Sequence, residues 1–262
     1  GVTLFAPSVL VSAGGALVQC SRRIALETRL SLVFEGTTTP IAIPGRVVRS
    51  NVAAIDAQGV PRLVDLGLAG LYIPEEHGGM AGEAEGVIDA AIVAEELGRQ
   101  VYAGPFASNA VAAFAIAKSG SDSQQAQFLP GLANGDLTAT CCFAGTGAQD
   151  GLAPTGLTAT RSQGGYRIDG AAGFVENAAQ AGLFVVTARD GDGLSQFLVA
   201  ADHPGVSVEP LRALDLGRPI ARVQFDGAQL DADALLGTPG NAAASFERQL
   251  QVALVLQCAE TI

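Results

Sequence analysis

Between residues 52 and 135 the apolar positions recur at helical spacing. Residues 62–71 (RLVDLGLAGL) read as a helix that ends at Ile73-Pro74-Glu75-Glu76-His77-Gly78-Gly79, where a proline and paired glycines turn the chain. Over residues 83–98, Val87, Ile88, Ala91, Ile92 and Ala94 make an apolar stripe, with Glu95 and Glu96 on the wetter side. An alanine-rich helix is expected from near Ser108 to Lys118. Residues 121–124 (SDSQ) then read as a capping box, opening a short helix that stops near Pro130-Gly131.

At Thr138 the period changes. Residues 138–143 read as a strand, followed by a glycine-rich stretch over 144–151. Short β runs follow at 157–161, 166–169, 183–188, 196–201, 206–210 and 221–225, separated by Gly, Asp and Asn. That spacing predicts an antiparallel barrel or sandwich. After Gly237-Thr238-Pro239-Gly240 the helical period returns, and residues 242–262 read as one continuous helix. At 1.5 Å per residue it would be about 31 Å long, and its Ala253-Leu254-Val255-Leu256 stretch needs something to pack against. The expected fold is multi-domain α and β. An N-terminal arm (1–50) precedes a helical domain (51–137) and a β-barrel middle domain (138–238). Residues 239–262 would be the first helix of a truncated C-terminal helical domain.

Residues 2–20 are almost free of charge and lead to Arg22-Arg23, as a signal or membrane segment would. Pro7, Ser8, Ser12, Gly14 and Gly15 interrupt the stretch, and positive charge follows rather than precedes it, so an arm packed on the body or on a partner is expected. The hydrophobic share, 48% of 262 residues, is that of a folded globular protein. Fifteen basic against 26 acidic residues give a net charge of −11, which argues against a nucleic-acid partner.

Cys20, Cys141, Cys142 and Cys258 show no CxxC spacing, and His77 and His203 are the chain's histidines, so no metal site is expected. The cysteines read as reduced thiols of a cytoplasmic protein. Strand alternation would send Cys141 and Cys142 to opposite faces, one to the core and one to the surface. The Gly145–Gly151 run has GxGxxxG spacing and precedes a strand, so it reads as a turn rather than a dinucleotide loop. His77 reads as a turn histidine, and no GxSxG nucleophile elbow is present.

Several segments in order carry a family likeness. Leu66-Gly67-Leu68-Ala69-Gly70-Leu71 with Ile73-Pro74-Glu75-Glu76-His77-Gly78-Gly79 is similar to LGLxGLxxPEEYGG. Glu95-Glu96-Leu97-Gly98 is similar to an AEELxR helix, and residues 128–135 (FLPGLANG) to a WLPxLxxGE bend. Residues 170–177 resemble the strand that carries K-x-WITN, and 231–237 the V-P-x-x-x-x-L-G exit. Residues 246–260 resemble the ERALDxAxxxxAAE helix of divergent members. Together, over roughly residues 50–262, the chain resembles the acyl-CoA dehydrogenase family, while residues 1–45 resemble nothing nameable.

That resemblance implies FAD as cofactor, an acyl-CoA as substrate and α,β-dehydrogenation to a 2,3-enoyl-CoA. It also implies electron-transfer flavoprotein or a similar acceptor, and a homo- or hetero-oligomer with a homologous subunit; a membrane partner is not expected. The family's base lies in its C-terminal domain, so no catalytic residue is expected within these residues. The flavin-contacting run, approximately xxxTEPGAGSD, falls on residues 141–150. Cys141, Cys142, Phe143, Gly147 and Ala148 thereby become candidate FAD contacts, and Gln149 a candidate CoA contact. WITN becomes Phe174-Val175-Glu176-Asn177, making Phe174, Val175 and Glu176 further FAD candidates. Phe143, Ala144, Gln149 and Glu176 depart from the pattern, and an ionised Glu176 would disfavour an anionic reduced flavin. Arg248 is the candidate for a CoA phosphate. These departures imply the alternative of a non-catalytic subunit paired with an intact homologue.

Overall fold

The computed structural model describes the backbone of residues 9–12, 15–18, 29–34, 41–46 and 144–145. It describes residues 67–81, 86–99, 102, 104–143, 156–162, 164–191, 193–215 and 218–261 with their side chains. The chain divides into a unit over Gly1–Leu66 and one over Gly67–Ile262. In the first, β1 (Val9–Ser12) and β2 (Gly15–Val18) pair antiparallel, as do β3 (Arg29–Phe34) and β4 (Ile41–Arg46). The arm left unassigned from sequence thus holds two hairpins. The helical reading at 62–66 lies outside the described residues.

The second unit opens with 3₁₀ turns at Leu68–Gly70 and Glu75–His77, followed by α1 (Val87–Arg99), α2 (Phe106–Ser119) and α3 (Asp122–Asn134). The α1 stripe is rotated from the expected one: Ala90, Val93 and Ala94 are buried, and Ile88 is 73% exposed. Small side chains face inward because another helix passes close by. In α2, every residue from Ser108 to Ile116 is buried, as suits a helix enclosed on all sides. Ser121 and Gln124 form the expected box at the start of α3: Gln124 N donates to Ser121 Oγ (3.3 Å) and Ser121 N to Gln124 Oε1 (3.0 Å). The helix nevertheless continues through Pro130 to Gly135 in the left-handed region (φ 78°). Pro130 and Ala126, whose carbonyl loses its helical donor, are both exposed, so water can take the donor's place.

The β region is one nine-stranded sheet. Its strands are β5 (Ala139–Cys142), β6 (Ala144–Gly145), β7 (Leu157–Ser162), β8 (Gly165–Glu176), β9 (Leu183–Asp190), β10 (Gly193–Ala200), β11 (Val206–Pro210), β12 (Ile220–Asp231) and β13 (Leu235–Leu236). The order is β11-β12-β8-β7-β9-β10-β13, with β5 beside β9 and β6 beside β8. Most pairs are antiparallel as expected, but the sheet is mixed and does not close on itself. β5 runs parallel to β9, because both enter from one end, where Gly182 N donates to Thr138 O (2.8 Å). The core between the faces holds Ile168, Phe184, Phe197, Val223 and Phe225.

α4 (Ala243–Thr261) is the expected last helix, packed on α1 and α2. It buries Phe246, Gln249, Val252 and Leu256 at spacings of one helical turn. Gln249 and Gln196 of β10 exchange amide hydrogen bonds (2.7 and 2.9 Å), and Gln196 also donates to Thr187 Oγ1 (3.0 Å). Both glutamines are 1% exposed. Gln249→Leu leaves Gln196 Oε1 without its donor in the core and is expected to cost roughly 1–2 kcal/mol in urea unfolding. An unchanged midpoint would mean that α4 is not seated through this pair. Among the described residues, no helix is long and apolar enough to cross a membrane, and no cluster of three or more metal-ligating side chains occurs.

Candidate functional site

Two sequence runs that are thirty residues apart meet side by side. β6 pairs with β8 at Ala144↔Gly173 and Gly145↔Ala172, so Phe143 and Phe174 leave neighbouring strands at the same level. On its other edge β8 carries a bulge. Val175 opposes Ala221 and Ala172 opposes Val223, which leaves Gly173 and Phe174 across from Arg222 alone. Phe174 takes a left-handed backbone (φ 53°) and its residue is 64% exposed. A bulky residue in that region is uncommon, and bulges re-aim side chains beside functional sites. Val175, next along, is buried and faces the core.

Asn177 closes the run, again left-handed (φ 54°). Its amide donates to Pro219 O (2.8 Å), and Nδ2 donates to Ser108 Oγ of α2 (3.2 Å). Its Oδ1 is buried without a hydrogen-bond partner. Asn109, the next residue of α2, accepts from Ala139 N at the start of β5 (2.9 Å). One turn of α2 therefore touches both strand runs.

Phe143, half-buried, meets Phe246 of α4 edge-on at 5.8 Å between ring centres. Cys141 and Cys142 are both buried, which corrects the expectation of one core and one surface thiol. β5 is covered on both faces, by α2 and by the sheet core, so alternation leads neither thiol to water. Burial pushes the Cys142 thiol up to about 12, and burial together with Cys142 raises Cys141 as well. Neither thiol is a ready nucleophile at neutral pH. Gly147, Ala148 and Gln149 lie outside the described residues.

Glu176 is ion-paired. Arg218 Nη1 stands 3.2 Å from Glu176 Oε1, Nη2 donates to Glu260 Oε2 at the end of α4, and Nε lies 3.8 Å from Asp215 Oδ2. Burial pushes the Glu260 carboxyl up; Arg218 opposes this, and Glu176 and Asp215 add to it. Arg248 is on the exposed side of α4 and donates to Gln251 Oε1 (3.3 Å). Its charge also acts on Tyr72, whose phenol burial pushes up to about 12 and whose hydroxyl is buried without a partner. His77 ends its turn as expected, 3.7 Å from Glu76. Arg218, Asn177, Phe246 and Glu260 were not among the sequence candidates. Asn177 sat within the compared motif, but nothing local marked Arg218.

The chain matches the family descriptions "Acyl-CoA dehydrogenase, N-terminal domain" over residues 46–136 and "Acyl-CoA dehydrogenase, middle domain" over 142–228. The chain belongs to the acyl-CoA dehydrogenase family. It is 31% identical over 186 residues to a probable acyl-CoA dehydrogenase of Bacillus subtilis, covering 67% of this chain and 30% of that protein. It is 32% identical over 177 residues to acyl-CoA dehydrogenase FadE27 of Mycobacterium tuberculosis, covering 67% of this chain and 45% of that protein. The ChsE4-ChsE5 complex from Mycobacterium tuberculosis is similar at a TM-score of 0.66 and 28% identity, covering 75% of this chain and 52% of that one. The chain thus spans about half, or less, of the length of these relatives. Family membership implies a flavin cofactor.

Proposed function

We propose that this chain forms the flavin-facing part of an FAD-dependent acyl-CoA dehydrogenase acting on an acyl-CoA thioester. The single observation that carries this reading is Phe174, an exposed aromatic side chain set in the left-handed region by a bulge where β6, β8 and β12 meet. An exposed aromatic face suits an isoalloxazine ring, and the orphaned Asn177 Oδ1 is an acceptor close by in sequence. The residues therefore fit the ring of a flavin, with Phe174 as its wall and the 143–145 backbone and Glu176 around it. Bound FAD would take a hydride from the β-carbon of the thioester while a carboxylate removes the α-proton, yielding a 2,3-enoyl-CoA.

In this reading the chain's own residues orient and shield. Phe143, edge-on to Phe246, screens the ring on the α4 side, and Gln149 and Arg248 are the candidate CoA contacts. Electrons would pass to electron-transfer flavoprotein or a similar acceptor. Leu254 and Val255, 46% and 42% exposed on α4, support association with a second copy or a homologous subunit, in the reducing cytoplasm. One observation favours a non-catalytic, shape-giving role within such an oligomer. Where the family pattern has a hydroxyl, Phe143 offers a ring already engaged with Phe246.

Absorbance across the near-ultraviolet and visible, with and without added FAD, followed by gel filtration, tests the reading. A flavin band is expected to co-elute with the chain, and Phe174→Ala is expected to weaken FAD binding roughly tenfold, the scale of one lost aromatic contact. No co-eluting flavin at high FAD would overturn the flavin reading and leave the shape-giving one.

A further inference from the structure

We propose that Arg218 is a positioning residue of this site: it partly offsets the charge of Glu176 and turns that carboxylate toward the end of α4, so that the Phe174 edge can accept an electron-rich ring. The inference rests on the flavin reading above. It starts from an awkward residue. Glu176 lies two positions beyond the exposed Phe174 on the same strand, and an uncompensated carboxylate there would repel any ring that gains negative charge.

The geometry supplies the compensation. Arg218 comes from the loop before β12, and its guanidinium fork joins two elements: one nitrogen meets Glu176 of β8 (3.2 Å), another meets Glu260 of α4. Its side chain is 24% exposed and that of Glu260 23%, so this pairing is partly withdrawn from water, and losing Arg218 would leave a half-buried carboxylate unpaired. The planar fork allows one cation to hold two carboxylates in fixed directions, which a lysine cannot reproduce. Asp215 completes the ring of acids from the exposed side, 63% exposed and 3.8 Å away. One cation shared among three carboxylates is an arrangement that a surface pair has no need of. The fork also joins the end of the Phe174 run to the C-terminal end of α4.

The chain has no tryptophan, so Phe174→Trp places a single indole at the site. FAD added to the F174W chain is followed by quenching of that indole, with melting by circular dichroism as the folding control. In this background Arg218→Met is expected to weaken binding about tenfold, the equivalent of one pKa unit of lost charge compensation. Glu176→Gln is expected to tighten it, and the double variant R218M/E176Q to return at least to the F174W level. Arg218→Lys, which keeps the charge, is expected to lie between F174W and R218M, and carries the test together with the double variant if R218M fails to fold. An R218M chain that binds as F174W does, or a double variant as weak as R218M, would overturn the inference while leaving the flavin reading in place. No quenching in any variant would overturn both.

Discussion

Phe197→Ala is expected to lower the unfolding free energy by roughly 3–5 kcal/mol, the range for emptying an aromatic side chain from a packed core. Phe197 lies on β10 with 0% exposure, paired across the ladder with Val186 of β9 and Leu235 of β13. Its ring meets Tyr166 of β8 at 4.9 Å between centroids and 60° between planes, an edge-to-face contact worth about 1 kcal/mol beyond burial. Strand backbones joined on both sides cannot close over the hole, so most of the cavity would persist. Urea unfolding followed by far-ultraviolet circular dichroism measures the loss as a lower midpoint at unchanged slope. A loss below about 1 kcal/mol would mean that the core collapses into the cavity, and that the sheet is held chiefly by other rings.

Period alone located most elements of the second unit. β12 shows how far: buried and exposed positions alternate over 221–225, which was read as a strand, whereas the bulge at Gly227 shifts the alternation and its continuation to Asp231 was not read. The capping box at Ser121 was legible because its chemistry is confined to four residues. Interior elements were harder to read. β5 is buried throughout, so its alternation says nothing about exposure, and one of Cys141 and Cys142 was sent to the surface when both lie in the core. α1 was read by the size of its apolar residues, but its inner face is chosen by closeness to α4. That favours Ala90 and Ala94 over Ile88.

The candidate site divides along the same line. Phe174 and Glu176 were legible because a family motif runs through them contiguously. The bulge that aims Phe174 was not, since it depends on how β8 pairs with β12 nearly fifty residues later. Arg218 was invisible for a stronger reason: its partners, Glu176 and Glu260, each lie 42 residues away in opposite directions along the chain. Charge compensation of this kind is a property of the folded surface. No window of the sequence contains it.

Gly98→Ala should separate α1 from α4. A methyl group built on Gly98 would stand 2.0 Å from the carbonyl oxygen of Glu260, 2.7 Å from its carbon and 3.0 Å from its Cα. All three atoms are backbone of the facing helix, so no rotamer change can make room. Two effects compete. Alanine in place of glycine within a helix is worth about 1 kcal/mol in its favour, whereas forced overpacking costs typically 1–3 kcal/mol and sometimes more. At a separation far inside van der Waals contact the steric cost decides, and a net loss of roughly 3 kcal/mol is expected in urea unfolding. The sign is therefore diagnostic: a stabilised variant would mean that α1 and α4 do not approach at Gly98. The displacement would also carry a consequence for binding. Moving the end of α4 withdraws Glu260 from Arg218 and releases the guanidinium from one of its two anchors. In the F174W background, Gly98→Ala should then weaken FAD quenching together with stability. A surface substitution on α1 such as Ile88→Ala, at a residue 73% exposed, should change neither.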